Sequence, residues 1–308
     1  MYKFSILITT KNRLEDLKFT LQKINYLFER NDVECIICDD GSTDATFEYI
    51  KQKYPRISII QNNESKGLIY SRNRLMSLTT SEFAISLDDD LNFLTQNPLE
   101  IIESFFKNNH KCAVISFRIF WNIAPPKSTI TTESSLQMRG FAGGAHAFRM
   151  SAWKTIPNYP DWFVFYGEED FAAFQLFKNN WDVYYVPDIL VHHRVDIKAR
   201  KKDNDYQIRL RRSLRSGWYL YFMFYPWKLI PKRFLYTLWI QFKNKVFKGD
   251  FKAFLAIMQA LGDVIITMPR LIKNANRLSK KEFLAYSKLP ETKLYWTPKD
   301  KQTQNIDV

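Results

Sequence analysis

Short apolar runs bounded by polar turns open the chain, and they alternate with stretches whose apolar positions recur every three or four residues. Phe4–Thr9, Val33–Cys38, Ile57–Gln61 and Phe83–Leu87 read as strands; Leu14–Phe28, Ala45–Lys53 and Ile69–Ser77 read as the helices between them. Strands alternating with helices predict βαβ units and a mainly parallel sheet. In such sheets ligands gather beyond the carboxyl ends of the strands. Here those ends are polar each time, at Thr9-Thr10-Lys11-Asn12-Arg13, Asp39-Asp40-Gly41-Ser42 and Asp88-Asp89-Asp90, so they point at one crevice.

The pattern changes after residue 110. Ala113–Phe120 and Val183–Val186 read as strands, Gly140–Gly144 as a glycine-rich turn and Glu168-Glu169-Asp170 as an acidic helix start. Beyond about residue 200 helical patterns carrying basic and aromatic side chains take over, punctuated by Pro226, Pro231, Pro269 and Pro290. The expected organisation is an α/β domain over residues 1–198 and a helical extension over 199–308, with Lys299–Val308 as a fraying polar tail.

Composition sharpens this picture. With 46% hydrophobic and 25% charged residues in 308, the chain buries a full core and is not a disordered segment. Residues 199–308 hold 23 Lys and Arg against 8 Asp and Glu, whereas residues 1–198 hold 22 against 24, so the net +13 is +15 on the extension and −2 on the domain. Seven aromatic residues between Trp218 and Trp227 lie within this basic region. Basic residues beside Trp, Tyr and Phe suit a helix lying in an anionic headgroup layer. They suit equally helices that pack onto the first domain or form a dimer. Nucleic-acid binding is not expected, because no recognisable nucleic-acid fold accompanies the charge.

Three cysteines, two in a lone C-x-x-C at Cys35 and Cys38, provide neither a disulfide framework nor a zinc site and read as strand side chains. No export signal is visible at the N-terminus. Gly217–Trp227 is too short, and Ala253–Met268 is interrupted by Gln259 and Asp263, for a helix spanning about 30 Å of hydrocarbon. The expected location is cytoplasmic, peripheral at the inner face of the cell membrane.

Two acidic clusters carry candidate chemistry. Asp88-Asp89-Asp90 follows an apolar strand, and carboxylates packed this closely repel by about 1 kcal/mol or more unless a cation offsets them. Oxygen ligands beside a diphosphate suit Mg²⁺ or Mn²⁺. Asp39-Asp40-Gly41-Ser42-Thr43-Asp44 is also a good cap for the following helix.

Taken in order, S-I-L-I-T-T-K-N-R, C-D-D-G-S-T-D, N-x-x-x-x-G-L-x-x-S-R-N, L-D-D-D and G-E-E-D resemble the inverting family 2 glycosyltransferases over about residues 1–195. That resemblance implies a GT-A fold, a nucleotide-binding mixed sheet flanked by helices. It implies a UDP-, dTDP- or GDP-sugar donor and a polysaccharide or lipid-linked glycan acceptor. Thr9 and Asp39 would meet the nucleotide base, Arg72 the base or diphosphate, and Asp88 the ribose or metal. Asp90 would bind the metal, with His193 completing its site. Lys11 and Arg13 would assist the donor. Asp170 or Glu169 would be the base that takes the acceptor's proton, and Gly140–His146 the acceptor-side loop. Trp162 and Phe163 stand where an acceptor sugar would stack, although core packing is their ordinary role. Many relatives carry a further Asp where this chain has Ala172. Two other functions fit the same sheet. A nucleotidyltransferase making nucleotide sugars would favour glycines in its first loop, and Thr9–Arg13 has none. An inactive glycan- or membrane-binding scaffold would have lost its carboxylates, and Asp39, Asp88, Asp90 and Asp170 are all present. Oligomeric state is not legible.

Overall fold

The structure, a computed structural model, describes residues 2–196 and 205–298. The expected domain boundary at 198/199 and the tail Lys299–Val308 lie outside the described residues. β1 (Phe4–Thr10), α1 (Leu14–Ile24), β2 (Val33–Asp39), α2 (Thr46–Lys53), β3 (Ser58–Gln61), α3 (Leu68–Leu78) and β4 (Phe83–Asp88) follow the alternation expected. Then come β5 (Leu91–Phe93), α4 (Pro98–Asn108), β6 (Cys112–Trp121), β7 (Leu136–Met138), β8 (Ala145–Arg149), α5 (Met150–Trp153), α6 (Glu168–Lys178) and β9 (Asp182–His193). α7 (Tyr206–Phe224), α8 (Ile230–Asn244), α9 (Phe251–Lys273) and α10 (Lys280–Lys288) form the basic region.

The strands build one mixed sheet of order β3-β2-β1-β4-β8-β6-β9-β5, with β7 paired to β9. β1 to β4 pair in parallel, whereas β8 runs antiparallel to both β4 and β6. Side chains alternate across the strands, so Phe4, Ile6 and Ile8 of β1 enter one hydrophobic cluster and Leu7 the other. Cys35 and Cys38 divide between the same two clusters as free, buried thiols, in keeping with their reading as strand side chains.

Two differences from the sequence pattern bear on the site. β9 does not stop before Pro187. Its register with β6 jumps from Phe117–Val186 to Arg118–Leu190, so the proline sits in an irregularity where no ladder N–H is needed, and the strand continues to His193. The apolar run Ala253–Met268 lies inside a continuous 23-residue helix that passes through Pro269; with mean hydropathy 1.6 and 28% of its apolar window buried, α9 is long and apolar enough to cross a membrane. Its inner face is tied to α7, where Arg211 donates to both carboxylate oxygens of Asp263 at 2.7 and 2.6 Å.

The aromatic cluster of α7 turns inward. Trp218, Tyr219, Met223 and Phe224 are buried, and Phe224 stacks on Phe174 of α6 at 4.7 Å between ring centroids. Tyr219 and Phe224 thus pack onto the first domain and Trp218 onto Phe234 of α8, whereas Trp227 is exposed.

Candidate active site

β4 ends at Asp88, and Asp89 and Asp90 form the turn into β5. Their side chains separate. Asp89 is buried, accepting from Thr10 Oγ1 (2.8 Å) and paired with Arg13 Nη1 (2.7 Å), while Thr20 Oγ1 donates to its backbone carbonyl (2.7 Å). Burial pushes the Asp89 carboxyl up to about 8 against the pull of Arg13. Asp90 accepts from Arg13 Nη2 at 2.7 Å. Burial raises its pKa, but the adjacent His193 ring and Arg13 outweigh that and hold it well below the ordinary carboxylate range. The second Arg13 contact locates this side chain on the acidic turn.

His193 reaches the same place from the far end of β9. It lies opposite Leu91 of β5 and Trp121 of β6 in the sheet register, which sets its ring beside Asp90. Nε2 stands 2.9 Å from Asp90 Oδ1, but off the direction of a good hydrogen bond, so that buried oxygen has no hydrogen-bond partner. Asp88, Asp90 and His193 each offer a ligand atom within 4.8 Å of the others. Two carboxylates and an imidazole form a donor set suited to Mn²⁺ or Mg²⁺, and the orphaned Asp90 oxygen is the kind of group a cation satisfies.

Arg72 of α3 links this cluster to the second one. Its guanidinium is buried and donates to Glu168 Oε1 (2.6 Å), Asp88 Oδ1 (3.1 Å) and the Gly143 carbonyl (2.8 Å). Arg72 thus bridges the two acidic clusters. Burial opposes its charge, yet Asp88, Glu168 and Glu169 hold it protonated.

The acidic helix start follows a strained segment, with φ of 69° at Val164 and 70° at Tyr166. Positive φ is costly for a β-branched residue, and such outliers gather where geometry serves a site. Glu168 is buried, Glu169 half-buried and Asp170 exposed. Burial and the neighbouring Glu168 push Glu169 up to about 8. Asp170 meets solvent but is surrounded by dense protein, and that surrounding, together with Glu169, pushes its carboxyl up to about 6. At neutral pH Asp170 is therefore largely ionised and able to accept a proton, whereas Glu169 keeps its own until the pH is higher. A Cβ at Gly143 would stand 1.7 Å from Glu169 Oε1, so this carboxylate rests on the glycine loop. Ala172 is fully buried in the hydrophobic core.

Thr9 is half-buried at the end of β1, beside Cys38 and Asp88 in the register. Asp39 is fully buried, accepting from Ser42 N (2.9 Å) and Gln61 Nε2 (3.0 Å). Asp40, not singled out from sequence, organises the loop before α3. It accepts from Asn62 (2.6 Å), Ser65 (2.7 Å), Lys66 N (2.8 Å), Gly67 N (2.9 Å) and Ser71 (3.1 Å), and these bonds lower its pKa although burial raises it. Its signal was the Asn62…Ser71 spacing that brings those donors together. Trp162 packs against Tyr219 and under Arg270, and Phe163 is fully buried, so both serve the core. His192 turns from the cluster to the Asn122 carbonyl, 2.7 Å from its Nε2.

Residues 5–150 match the sequence profile of glycosyl transferase family 2. Residues 5–150 carry a family 2 glycosyl transferase domain. It is 36% identical over 87 residues to UDP-Glc:alpha-D-GlcNAc-diphosphoundecaprenol beta-1,3-glucosyltransferase WfaP of Escherichia coli, covering 28% of this chain and 34% of that protein. It is 29% identical over 103 residues to a dolichol-phosphate mannosyltransferase of Pyrococcus furiosus, covering 32% and 28%. The chain thus spans about a third or less of either relative. The transferase fold is shared with a Pyrobaculum calidifontis mannosyltransferase solved with GDP-Man and Mn²⁺ (TM-score 0.53, 14% identity, 92% of this chain and 79% of that one). It is shared also with S. aureus TarS (TM-score 0.57, 16% identity, 89% and 50%). The sheet is accordingly a GT-A sheet, extended by C-terminal helices.

Proposed function

We propose that this chain is an inverting glycosyltransferase that moves a sugar from a nucleotide-sugar donor to a hydroxyl of a polysaccharide or lipid-linked glycan. The observation that carries the reading is the meeting of Asp88, Asp90 and His193, from strand ends about a hundred residues apart, within reach of one cation. The lipid-linked acceptor in the name of the Escherichia coli relative supports that choice of acceptor class.

Asp90, Asp88 and His193 would hold Mn²⁺ or Mg²⁺. When bound, such an ion neutralises the charge that develops on a departing diphosphate. Thr9 and Asp39 flank the nucleotide at the ends of β1 and β2. Arg72 fixes Asp88 and Glu168 against each other, so metal side and base side keep their spacing. Asp170 takes the proton from the acceptor hydroxyl as its oxygen attacks the anomeric carbon. The bond to the nucleoside diphosphate breaks on the opposite face, which inverts the configuration. Glu169, held by Gly143 and Arg72, is the alternative base.

We place the enzyme peripherally at the cytoplasmic face of the membrane. The exposed side chains of Leu235, Tyr236 and Trp239 on α8 and of Ile265 and Ile266 on α9 support this, among many lysines and arginines.

A thermal-shift panel of UDP, dTDP, GDP and CDP, each with and without Mn²⁺, tests the donor site. One nucleotide should stabilise the wild type in the presence of metal and fail to stabilise Asp90→Ala. Absence of any nucleotide effect would remove the donor-site assignment and favour a non-catalytic scaffold.

A further inference from the structure

After α10 the chain runs back across the transferase domain as an irregular strap, and its contacts join the two halves of the site. The Pro290 carbonyl accepts from Arg139 N at 3.1 Å. A Cβ placed at Gly140 would stand 2.5 Å from Thr292 Oγ1 and 3.4 Å from Asp170 Oδ1, so Thr292 lies beside the base. Three residues on, Tyr295 packs on Trp121 at 5.7 Å, and the Trp121 ring meets His193 edge to face at 5.3 Å. Trp296 then joins the sheet, donating its N–H to the Ile119 carbonyl (2.6 Å) under the Arg118 guanidinium, 4.4 Å from the ring centre. Arg118 also donates to the Thr129 carbonyl (2.9 Å), which ties the strap to the loop after β6.

Between strap and loop lies a cavity of about 530 Å³, with Ile130, Thr131, Thr132 and Glu133 on one wall and Lys293 and Tyr295 on the other. Glu133 and Lys293 pair with each other, and Glu133 accepts from the Tyr185 hydroxyl as well (2.5 Å). Among the described residues of the lining, no charge is left unpaired to attract a phosphate or carboxylate. A purely apolar ligand would shut water away from the polar groups of the lining without replacing it. A pyranose matches both features, since its C–H face lies on an aromatic ring and its hydroxyls exchange hydrogen bonds with Thr, Glu and Lys. The volume falls in the range of small-ligand sites, roughly 300–1,000 Å³.

We infer that this cavity is an acceptor subsite, binding a sugar ring of the glycan next to the one that reacts. Tyr295 is its stacking face, and Glu133 with Lys293 its hydrogen-bonding pair. The inference rests on the glycosyl-transfer reading above and assigns the acceptor end of that same site. The strap sets the subsite between the base, which Thr292 adjoins, and the metal ligand His193, which Tyr295 supports through Trp121.

Saturation-transfer NMR on the full chain tests it, with methyl β-glucoside, methyl α-mannoside, cellobiose and N,N′-diacetylchitobiose as probes. Tyr295→Ala removes the ring and Thr132→Trp fills the space; both positions are exposed, and circular dichroism checks each variant for folding. At least one saccharide should bind the wild type and bind both variants about fivefold or more weakly, the size of one lost aromatic contact. The nucleotide and Mn²⁺ thermal shift should stay unchanged in Thr132→Trp, at a position that lines the cavity and is not among the metal ligands. Failure of every saccharide to bind wild type, or binding unaltered in both variants, overturns the assignment. Saccharide binding that both variants lose, in a protein no nucleotide stabilises, supports the cavity as a sugar site and counts against the donor reading instead.

Discussion

A side chain at Gly143 has no room, because Glu169 Oε1 occupies the place where a Cβ would be. Gly143→Ala must therefore move the Glu169 carboxylate and press on Arg72 Nη1, 3.0 Å from the same place. Displacing catalytic groups by about 1 Å costs on the order of 100-fold in rate, so kcat/KM should fall about that far while the melting temperature changes little. A rate within threefold of wild type would separate this loop from the chemistry. The two candidate bases differ in their titration. A base works only when ionised, so activity falls as pH drops through its pKa. If Asp170 takes the proton, the acid limb of kcat/KM should lie near pH 6, and if Glu169 does, nearer pH 8. Arg72→Met acts differently, through stability. It strands Glu168 in the core without its counter-charge, which costs about 3–5 kcal/mol, and urea denaturation should show the loss even without substrate.

At the level of elements, α7 and the two helices after it divide the work that composition alone assigned to one basic and aromatic region. α7 was legible as a helix, but not its orientation, since seven aromatics in ten residues leave no polar face to read. Burial against Phe171 and Phe174 of α6 resolves it. The exposed apolar residues lie instead on α8 and α9, whose periodicity is broken by few prolines and is plain in the sequence. β9 shows the converse. Pro187 reads as a strand end, and only pairing with β6 across a register shift carries the strand on to His193. His193 came into view through the family resemblance, a motif signal, and not through any strand pattern. The membrane proposal belongs to this scale. The wild type should sediment with vesicles containing phosphatidylglycerol, less with pure phosphatidylcholine, and less as salt is raised, since each nearby Lys or Arg contributes about 1 kcal/mol on an anionic surface. Trp239→Glu combined with Ile266→Glu should weaken that binding by about tenfold or more. Equal sedimentation of the double variant would assign these side chains to a protein partner.

Across the whole molecule, the parts read most readily from sequence were those built from neighbours: the βαβ alternation, the polar strand ends and the order of the motifs. What stayed out of reach depends on residues far apart in the chain. The irregular strap from 289 to 298 has no periodicity, and its seat on β6 is set by single contacts such as the Trp296 N–H to the Ile119 carbonyl. The same holds for the relation of the two expected regions. One hydrophobic cluster runs from Leu7 and Ile36 of the sheet through Phe171 and Phe174 to Trp218, Phe224, Ile257 and Tyr286 of the extension. Phe174 alone stacks on Phe224 at 4.7 Å and on Tyr286 at 4.6 Å. Exposing a buried aromatic of this kind costs about 1.5–3 kcal/mol, and several at once approach the 5–15 kcal/mol by which a domain is stable. Residues 1–198 expressed alone should then bind a hydrophobic dye and melt without a cooperative transition, although every motif of the donor site is present. A sharp transition together with a nucleotide response would instead show that the sheet holds its site without the helices that cover α6.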